Sequence, residues 1–171
     1  IRTASEDYPG VCSRFSALWH QIAERFRDYD HHLIFEGGNE ICFPHAAHQD
    51  TAYELLNRLN QLFVNIVRAS GGNNADRFLL IPGYNTDTAL TCDERFRLPE
   101  DTVDDHLIVS IHYYSPAEFV LAEHDSDWCT PVDVWGSDEE VAAVETDFAK
   151  QKARFIDNGI PVIIGEYGLL T

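Results

Sequence analysis

Two glutamates stand shortly after apolar runs that lie far apart in the sequence. Glu40 follows the run at residues 32–36, and Glu166 directly follows the run at residues 161–165. Two carboxyl groups about 5–5.5 Å apart can hydrolyse a glycosidic bond with retention, one donating a proton and the other attacking the anomeric carbon. A lone glutamate in such a position is usually a solvated loop residue. Two in matching positions favour catalysis, with Glu40 as general acid/base and Glu166 as nucleophile.

Further polar side chains stand at the ends of the same predicted strands. Asn39 precedes Glu40 and could hydrogen-bond the 2-hydroxyl of a sugar, a contact that strengthens in the transition state. Tyr114 follows the run at residues 107–111 and could orient Glu166. The other residues expected at these ends are His112, Tyr84 and Asn85. Because ligands and catalytic groups gather at the carboxyl ends of parallel strands, these side chains should share one face.

Buried-strand runs alternate with stretches of helical periodicity. The apolar runs lie at residues 32–36, 78–82, 107–111 and 161–165. Apolar residues recur with helical spacing at residues 15–26, 55–67 and 141–156. A further short helix is expected near residues 99–104. The alternation predicts an α/β fold of parallel strands joined by right-handed crossovers. Periodicity leaves open whether the strands form a small open sheet or part of a closed barrel.

Four residues outside the strand ends also carry predictions. Trp128 and Trp135 lie in the loop after the third strand, where aromatic faces could stack on sugar rings or simply pack the loop against the protein. Trp19 falls on the apolar stripe of the first helix and is expected in the core. Glu36 lies inside the first strand, so its carboxylate must face an interior or be paired. We expect Glu36 to be a structural hydrogen-bond acceptor.

The histidines and cysteines form no recognisable metal motif. The sequence contains neither an H-E-x-x-H motif nor a C-x-x-C pair. His45 and His48 could share a helix face, but no partner is placed to complete a site, so no metal and no other cofactor is expected. The two histidines could instead border a substrate groove. Cys42 and Cys92 both lie in carboxyl-end loops and could form a disulfide in an oxidising compartment.

Charge and hydropathy exclude two classes of partner. Twelve basic and 29 acidic residues give a formal net charge of −17 over 171 residues. Nucleic acids and anionic membranes bind through clusters of Lys and Arg, so neither is expected as a partner. No apolar run approaches the roughly 18 residues that a membrane-spanning helix needs. A neutral substrate suits this surface better.

Three strings around the strand ends resemble signatures of glycoside hydrolase family 5, the cellulase-like clan of (β/α)8 barrels. HLIFEGGNE resembles the fourth strand of that family, VSIHYYSP the sixth and VIIGEYG the seventh. Longer stretches are similar to the endoglucanase and xyloglucanase branch along nearly the whole chain. The resemblance implies that the pair Asn39-Glu40 carries the general acid/base, which is Glu40. It also implies a site lined by His112 and Tyr114. It implies that Glu166 is the nucleophile.

The resemblance also implies a fold and an activity. Residues 1–171 would form a single partial domain, about half of a TIM (β/α)8 barrel, from before strand 4 through strand 7. The implied activity is endo-hydrolysis of cellulose-like β-1,4-glucan or xyloglucan by double displacement, without a cofactor. The family's second-strand Arg, its third-strand His and its Trp after strand eight have no counterpart here, and Ile41 replaces its usual Pro.

A half barrel would expose two strand edges and the inner faces of four strands, a surface that should aggregate or pair. We therefore expect either a homodimer or association with the missing barrel half. The alternative function is a truncated, catalytically impaired fragment that serves as a folding or assembly unit. A non-catalytic sugar-binding module would keep Trp128 and Trp135 but does not need two strand-end glutamates. A polysaccharide substrate implies secretion, although the chain begins with neither an initiator Met nor an apolar signal core.

Overall fold

Four parallel strands alternate with helices in the computed structural model, which describes residues 6–169. The strands are β1 (Phe35–Glu36), β2 (Leu79–Asp87), β3 (Leu107–Tyr113) and β4 (Val162–Tyr167). The α-helices are α1 (Tyr8–Arg25), α2 (Gln49–Ala69), α3 (Thr88–Thr91), α4 (Ala117–Val120) and α5 (Asp138–Arg154), with 3-10 turns at Gly72–Ala75 and Ile156–Asn158. The strands lie in sequence order, as they do in a barrel. The predicted α/β class is confirmed.

The long helices cover one face of the sheet. Successive side chains of a strand point to opposite faces, and on β3 it is Val109 and Ile111 that are buried against the helices. Trp19 of α1 packs against Phe63 of α2 with ring centroids 4.4 Å apart, and against Phe35 of β1 at 5.6 Å. Trp19 is therefore a core residue, as its helical spacing predicts. None of the helices within residues 6–169 combines the length and hydropathy that crossing a bilayer requires.

The opposite face of the sheet carries no helix among the described residues. Glu36, Leu80 and Ile108 lie in register across β1, β2 and β3 on this inner face. Ser110 and Ile163 form the next row, and the side chain of Ile163 is 41% exposed. Within residues 6–169, β1 pairs only with β2 and β4 only with β3, so both sheet edges are open.

The short helix in the long connection lies before its predicted position. No helix forms at residues 99–104; instead α3 begins directly after β2. The side chain of Asp87 accepts a hydrogen bond from the backbone N–H of Leu90 at 2.8 Å and caps α3. Residues near 100 contact α2 instead, where Arg68 forms a two-pronged ion pair with Asp101. These polar contacts hold the segment as a loop.

Three smaller predictions fail. Glu36 faces the inner side of the sheet, but its Oε1 is buried without a hydrogen-bond partner because its neighbours in the row are aliphatic. The cysteines all carry free thiols, so Cys42 and Cys92 form no disulfide. His45 and His48 share no helix face, because His48 is the N-cap of α2 and His45 lies in the turn before it.

Candidate active site

Glu40 occupies a strained turn that is fixed by the residues around it. Its φ of +46° lies in the left-handed region, which residues other than glycine seldom adopt. The next residue, Ile41, is buried, and its carbonyl accepts a hydrogen bond from the backbone N–H of Asn85 at 2.8 Å. The backbone N–H of Phe43 donates to the hydroxyl of Tyr84 at 2.8 Å. These contacts with the end of β2 hold the Glu40 backbone in place.

An irregularity in β4 aligns Glu166 with His112. Glu166 pairs with His112 across the sheet, whereas Gly165 is skipped in the register between the strands. Such bulges commonly redirect a side chain beside an active site. A Cβ on Gly165 would lie 3.2 Å from Oγ of Ser110 and 3.6 Å from the imidazole of His112. The missing side chain at residue 165 therefore lets the two strands approach at this point.

His112 contacts both glutamates with the same ring nitrogen. Its Nδ1 lies 3.1 Å from Oε1 of Glu40 and 3.5 Å from Oε2 of Glu166. Side-chain oxygens of the glutamates and a ring nitrogen of His112 all lie within 4.8 Å of one another. The His112 side chain is only 4% exposed, whereas those of Glu40 and Glu166 are 46% and 42% exposed. The carboxylates thus face each other on an accessible surface above a buried imidazole.

Tyr114 contacts Glu166 from the end of β3. Its hydroxyl donates a hydrogen bond to Oε2 of Glu166 at 3.2 Å. Burial, the hydrogen bond to Glu166 and the negative charge of Glu166 and Glu40 all raise the pKa of Tyr114. The phenol therefore keeps its proton and acts as a donor to the carboxylate. Glu40, His112, Tyr114 and Glu166 form one cluster at the carboxyl ends of β1, β3 and β4, which we call the strand-end cluster.

Two further predicted residues lie at the accessible surface. Asn39 is exposed and directly precedes Glu40. Trp128 is 66% exposed in the loop between α4 and α5. Both are accessible to a large ligand, and their roles in sugar binding stay predictions.

Trp135 lies on the helix-covered side of the sheet. It lines an apolar groove of about 310 Å³ together with Tyr113 and Phe148, and its ring stacks against that of Phe119 at 6.2 Å. The Tyr113 ring packs on Phe148 of α5 at 4.9 Å, so this groove faces away from the side chain of His112. The strand-end cluster therefore does not include Trp135, whose role in sugar binding also stays a prediction.

The positions of the two glutamates depend on contacts that the sequence pattern does not show. Tyr84 and Asn85 are at the expected strand end, but they hold the Glu40 loop through a hydroxyl and a backbone N–H. The bulge at Gly165 was also missed, although a glycine inside a predicted strand is a recognised bulge signal. The contact of His112 with both carboxylates does not follow from the spacing of residues in the sequence, because the two glutamates belong to the ends of two other strands.

A comparison of the sequence with models of protein families identifies the family of this chain. The sequence model of the cellulase family, glycosyl hydrolase family 5, matches residues 3–171. The chain belongs to this family. The resemblance indicated by the strand strings is thereby confirmed.

Individual proteins are similar to this chain in sequence or in fold. Endoglucanase 1 of Ruminococcus albus is 41% identical over 166 residues, which cover 95% of this chain and 38% of that protein. The structure of a broad-specificity endoglucanase from an uncultured bovine rumen ciliate matches with a TM-score of 0.85 at 38% identity, covering 95% of this chain and 48% of that one. The structure of a xyloglucan-specific endo-β-1,4-glucanase from a metagenomic library, in complex with cellotriose, matches with a TM-score of 0.82 at 32% identity. The match covers 99% of this chain and 49% of that one.

These coverages fit the architecture of the sheet. The chain spans about half the length of the solved structures that it matches. It spans 38% of the length of the Ruminococcus albus endoglucanase. The four parallel strands with helices on one face are the corresponding half of a family 5 (β/α)8 barrel. The prediction of about half a TIM barrel is confirmed.

Proposed function

We propose that this chain forms the catalytic half of a retaining endo-β-1,4-glucanase. The observation that carries the proposal is that a side-chain oxygen of Glu40 and one of Glu166 lie within 4.8 Å of each other. Retaining glycosidases hold their two carboxyl groups about 5–5.5 Å apart, whereas inverting enzymes need about 6.5–9.5 Å to admit a water molecule. The short separation supports double displacement, and the hydrogen bond from Tyr114 supports Glu166 as the nucleophile.

In the first half of the reaction, Glu40 donates its proton to the glycosidic oxygen as that bond breaks. The carboxylate of Glu166 attacks the anomeric carbon and forms a covalent glycosyl ester. In the second half, Glu40 takes a proton from water, the resulting hydroxide attacks the same carbon, and Glu166 leaves as a carboxylate. Two inversions give net retention, and Glu40 ends protonated for the next cycle.

The neighbours of the two glutamates have distinct parts in this scheme. Tyr114, 3.2 Å from Oε2 of Glu166, holds the nucleophile for attack by the other oxygen. His112 stands between the two carboxylates and fixes their separation. Asn39, exposed beside Glu40, is placed to hydrogen-bond the 2-hydroxyl of the sugar at the cleavage point.

The proposed substrate is cellulose-like β-glucan or xyloglucan. The relatives support this choice, since one is named an endoglucanase and another a xyloglucan-specific endo-β-1,4-glucanase that holds cellotriose. A neutral polysaccharide also suits a chain of net charge −17. The exposed ring of Trp128 is the proposed stacking surface for a glucosyl unit beyond the cleavage point. Because a polymer of this kind is met outside the cell, we also propose that the protein is secreted.

A half barrel acting as an assembly unit is the second candidate function. It is favoured by the two open sheet edges and by the inner face, where Ile163 is 41% exposed. Exposed strands of this kind pair readily with other chains. A second copy is the proposed partner, because two four-stranded halves supply the eight strands of a closed barrel. The two candidates are compatible if hydrolysis requires the paired form.

One experiment separates the candidates. Release of reducing sugar from soluble β-glucan and xyloglucan is measured alongside the molar mass of the same sample by light scattering. Hydrolysis that disappears in Glu166→Gln, at unchanged molar mass, supports the enzyme. A folded sample that associates but releases no sugar contradicts the catalytic proposal for this chain and leaves the assembly unit.

A further inference from the structure

We propose that Glu40, His112 and Glu166 also bind a divalent transition-metal ion, represented by Zn²⁺, and that the bound ion blocks hydrolysis. The inhibitory part rests on the proposed function, whereas the binding part does not. The trio offers one imidazole nitrogen and two carboxylates from the ends of three different strands. Imidazole nitrogen and carboxylate oxygen both bind zinc in proteins, and three protein ligands with a water is the usual set of an open zinc site.

The distances already approach those of a metal-bound trio. A tetrahedral Zn²⁺ with bonds of about 2.0–2.2 Å keeps its ligand atoms about 3.3–3.6 Å apart. Nδ1 of His112 lies 3.1 Å from Oε1 of Glu40, slightly less than that spacing, and 3.5 Å from Oε2 of Glu166, within it. The remaining separation, between the two carboxylates, is at most 4.8 Å and closes by small side-chain rotations.

The burial pattern suits a site that an ion can enter from solvent. His112 is 4% exposed, so its ring is held in position before any ion arrives. Glu40 and Glu166 are 46% and 42% exposed, which leaves an entry path and room for a water molecule as fourth ligand. The hydroxyl of Tyr114 bonds Oε2 of Glu166 and would orient that carboxylate as an outer-shell partner. A net charge of −17 raises the local concentration of cations.

The donor set also predicts which ions bind. Imidazole nitrogen favours Zn²⁺, Cu²⁺ and Ni²⁺, with Cu²⁺ expected to bind at least as tightly as Zn²⁺. Ca²⁺ takes about 6–8 oxygen ligands and Mg²⁺ requires an octahedral shell that keeps several waters. Neither demand is met by one nitrogen and two carboxylates. We therefore expect no competition from Ca²⁺ or Mg²⁺ at the concentrations at which Zn²⁺ saturates the site.

Occupation of the site is incompatible with both catalytic roles. A metal-bound Glu40 carries no proton for the leaving oxygen, and an ion bound through Oε2 of Glu166 neutralises that carboxylate and weakens its other oxygen as a nucleophile. Hydrolysis should therefore fall in proportion to occupancy and return when a chelator removes the ion.

The test is calorimetric titration of the whole chain with Zn²⁺, because heat of binding is measured without any turnover. His112→Gln, Glu40→Gln and Glu166→Gln should each weaken the site by more than the ~10–100-fold that loss of an outer-shell partner costs. His32→Gln is the matched control: His32 Nδ1 also lies 3.1 Å from a carboxylate, that of Asp30, but with a single partner on an exposed surface. This variant should bind Zn²⁺ at the strand-end site as the unaltered chain does.

The outcomes of the titration test metal binding and the catalytic roles separately. Zinc affinity that is unchanged in Glu40→Gln and Glu166→Gln overturns the proposal, since the ion is then held by thiols or surface histidines. These two exposed positions decide the matter even if His112→Gln, at a buried position, fails to fold. Zinc bound at the trio in a sample that still hydrolyses glucan at full rate would instead refute the catalytic roles of the glutamates. The failure of binding and the failure of the proposed function are thus distinguishable.

Discussion

The hydroxyl of Tyr114 lies 3.2 Å from Oε2 of Glu166. The preceding residue, Tyr113, points to the other face of β3, where its hydroxyl lies 3.4 Å from Oδ2 of Asp147. The two adjacent tyrosines thus each place a phenol hydroxyl beside a carboxylate, on opposite sides of the sheet. Only the first is positioned to influence the proposed nucleophile.

This pair provides the first prediction. Tyr114→Phe should lower kcat about 10- to 150-fold through loss of a hydrogen bond to a charged group, worth about 1.5–3 kcal/mol. Tyr113→Phe removes an equivalent hydroxyl and should leave kcat unchanged. Steady-state kinetics on an aryl cellobioside measure both. Equal losses in the two variants would show that Tyr114 has no special relation to the reaction.

Glu166→Gln should lower the rate by about 10⁴- to 10⁶-fold, the range that loss of single members of a catalytic triad covers elsewhere. The amide is nearly isosteric, so the melting temperature should change little. Glu145→Gln, at an exposed position on α5, removes the same charge and should be fully active. Residual hydrolysis by Glu166→Gln within tenfold of the original rate would exclude it as nucleophile.

Glu40→Gln should affect substrates according to their leaving groups. A glucan has a poor leaving group that needs protonation, so its hydrolysis should fall by at least about 10²-fold. An aryl glycoside with an acidic phenol needs no proton for bond cleavage, so its first step should be largely retained. Pre-steady-state release of the phenol separates this step from hydrolysis of the ester. Equal losses for both substrates would argue against Glu40 as the proton donor.

Gly165→Ala should disturb the alignment of Glu166 with His112. The new Cβ would lie 3.2 Å from Oγ of Ser110, a contact tight enough to displace the strand by a few tenths of an ångström. Misplacement of a reacting group by about 1 Å can cost about 10²-fold in rate, so we expect a loss of about 10-fold. Adding Ser110→Ala removes the opposing hydroxyl, which is buried without a partner, and should restore part of the rate. A double-mutant cycle measures this coupling.

Arg77 should stabilise the fold rather than the reaction. Its buried guanidinium donates to one side chain and four backbone carbonyls: Oδ1 of Asn74 and the carbonyls of Phe26, Tyr29, Asp30 and Leu33. Lys has fewer donors and no planar fork, so Arg77→Lys should lower the free energy of unfolding by about 2–4 kcal/mol. Arg14→Lys, in an exposed ion pair with Asp7, should change it by less than about 0.5 kcal/mol. Urea denaturation measures both variants, and similar small changes would refute the role of Arg77.

Local sequence pattern accounts for much of the fold. The apolar runs correctly predicted the four strands, and the helical spacing correctly predicted that Trp19 lies in the core. The failed helix at residues 99–104 depended on tertiary contacts such as the Arg68–Asp101 ion pair, which no local pattern contains. The disulfide guess failed for a related reason, because loops that share one end of a sheet need not bring their thiols together.

The strand-end cluster was predictable in membership but not in geometry. Parallel strands place Glu40, His112, Tyr114 and Glu166 at one edge, and the order of elements alone indicates this. The close approach of the carboxylates depends on the left-handed backbone at Glu40 and the skipped Gly165. Both features arise from long-range packing, and a one-dimensional pattern does not specify them.

The most direct measurement is mass spectrometry of the chain after reaction with 2-deoxy-2-fluorocellobiosyl fluoride, which forms the glycosyl ester readily but hydrolyses slowly. The account predicts a mass increase of one 2-deoxy-2-fluorocellobiosyl group, located by peptide fragmentation on Glu166 and absent from Glu166→Gln. Attachment to any other residue, or an unmodified chain that nevertheless hydrolyses glucan, would contradict double displacement through Glu166.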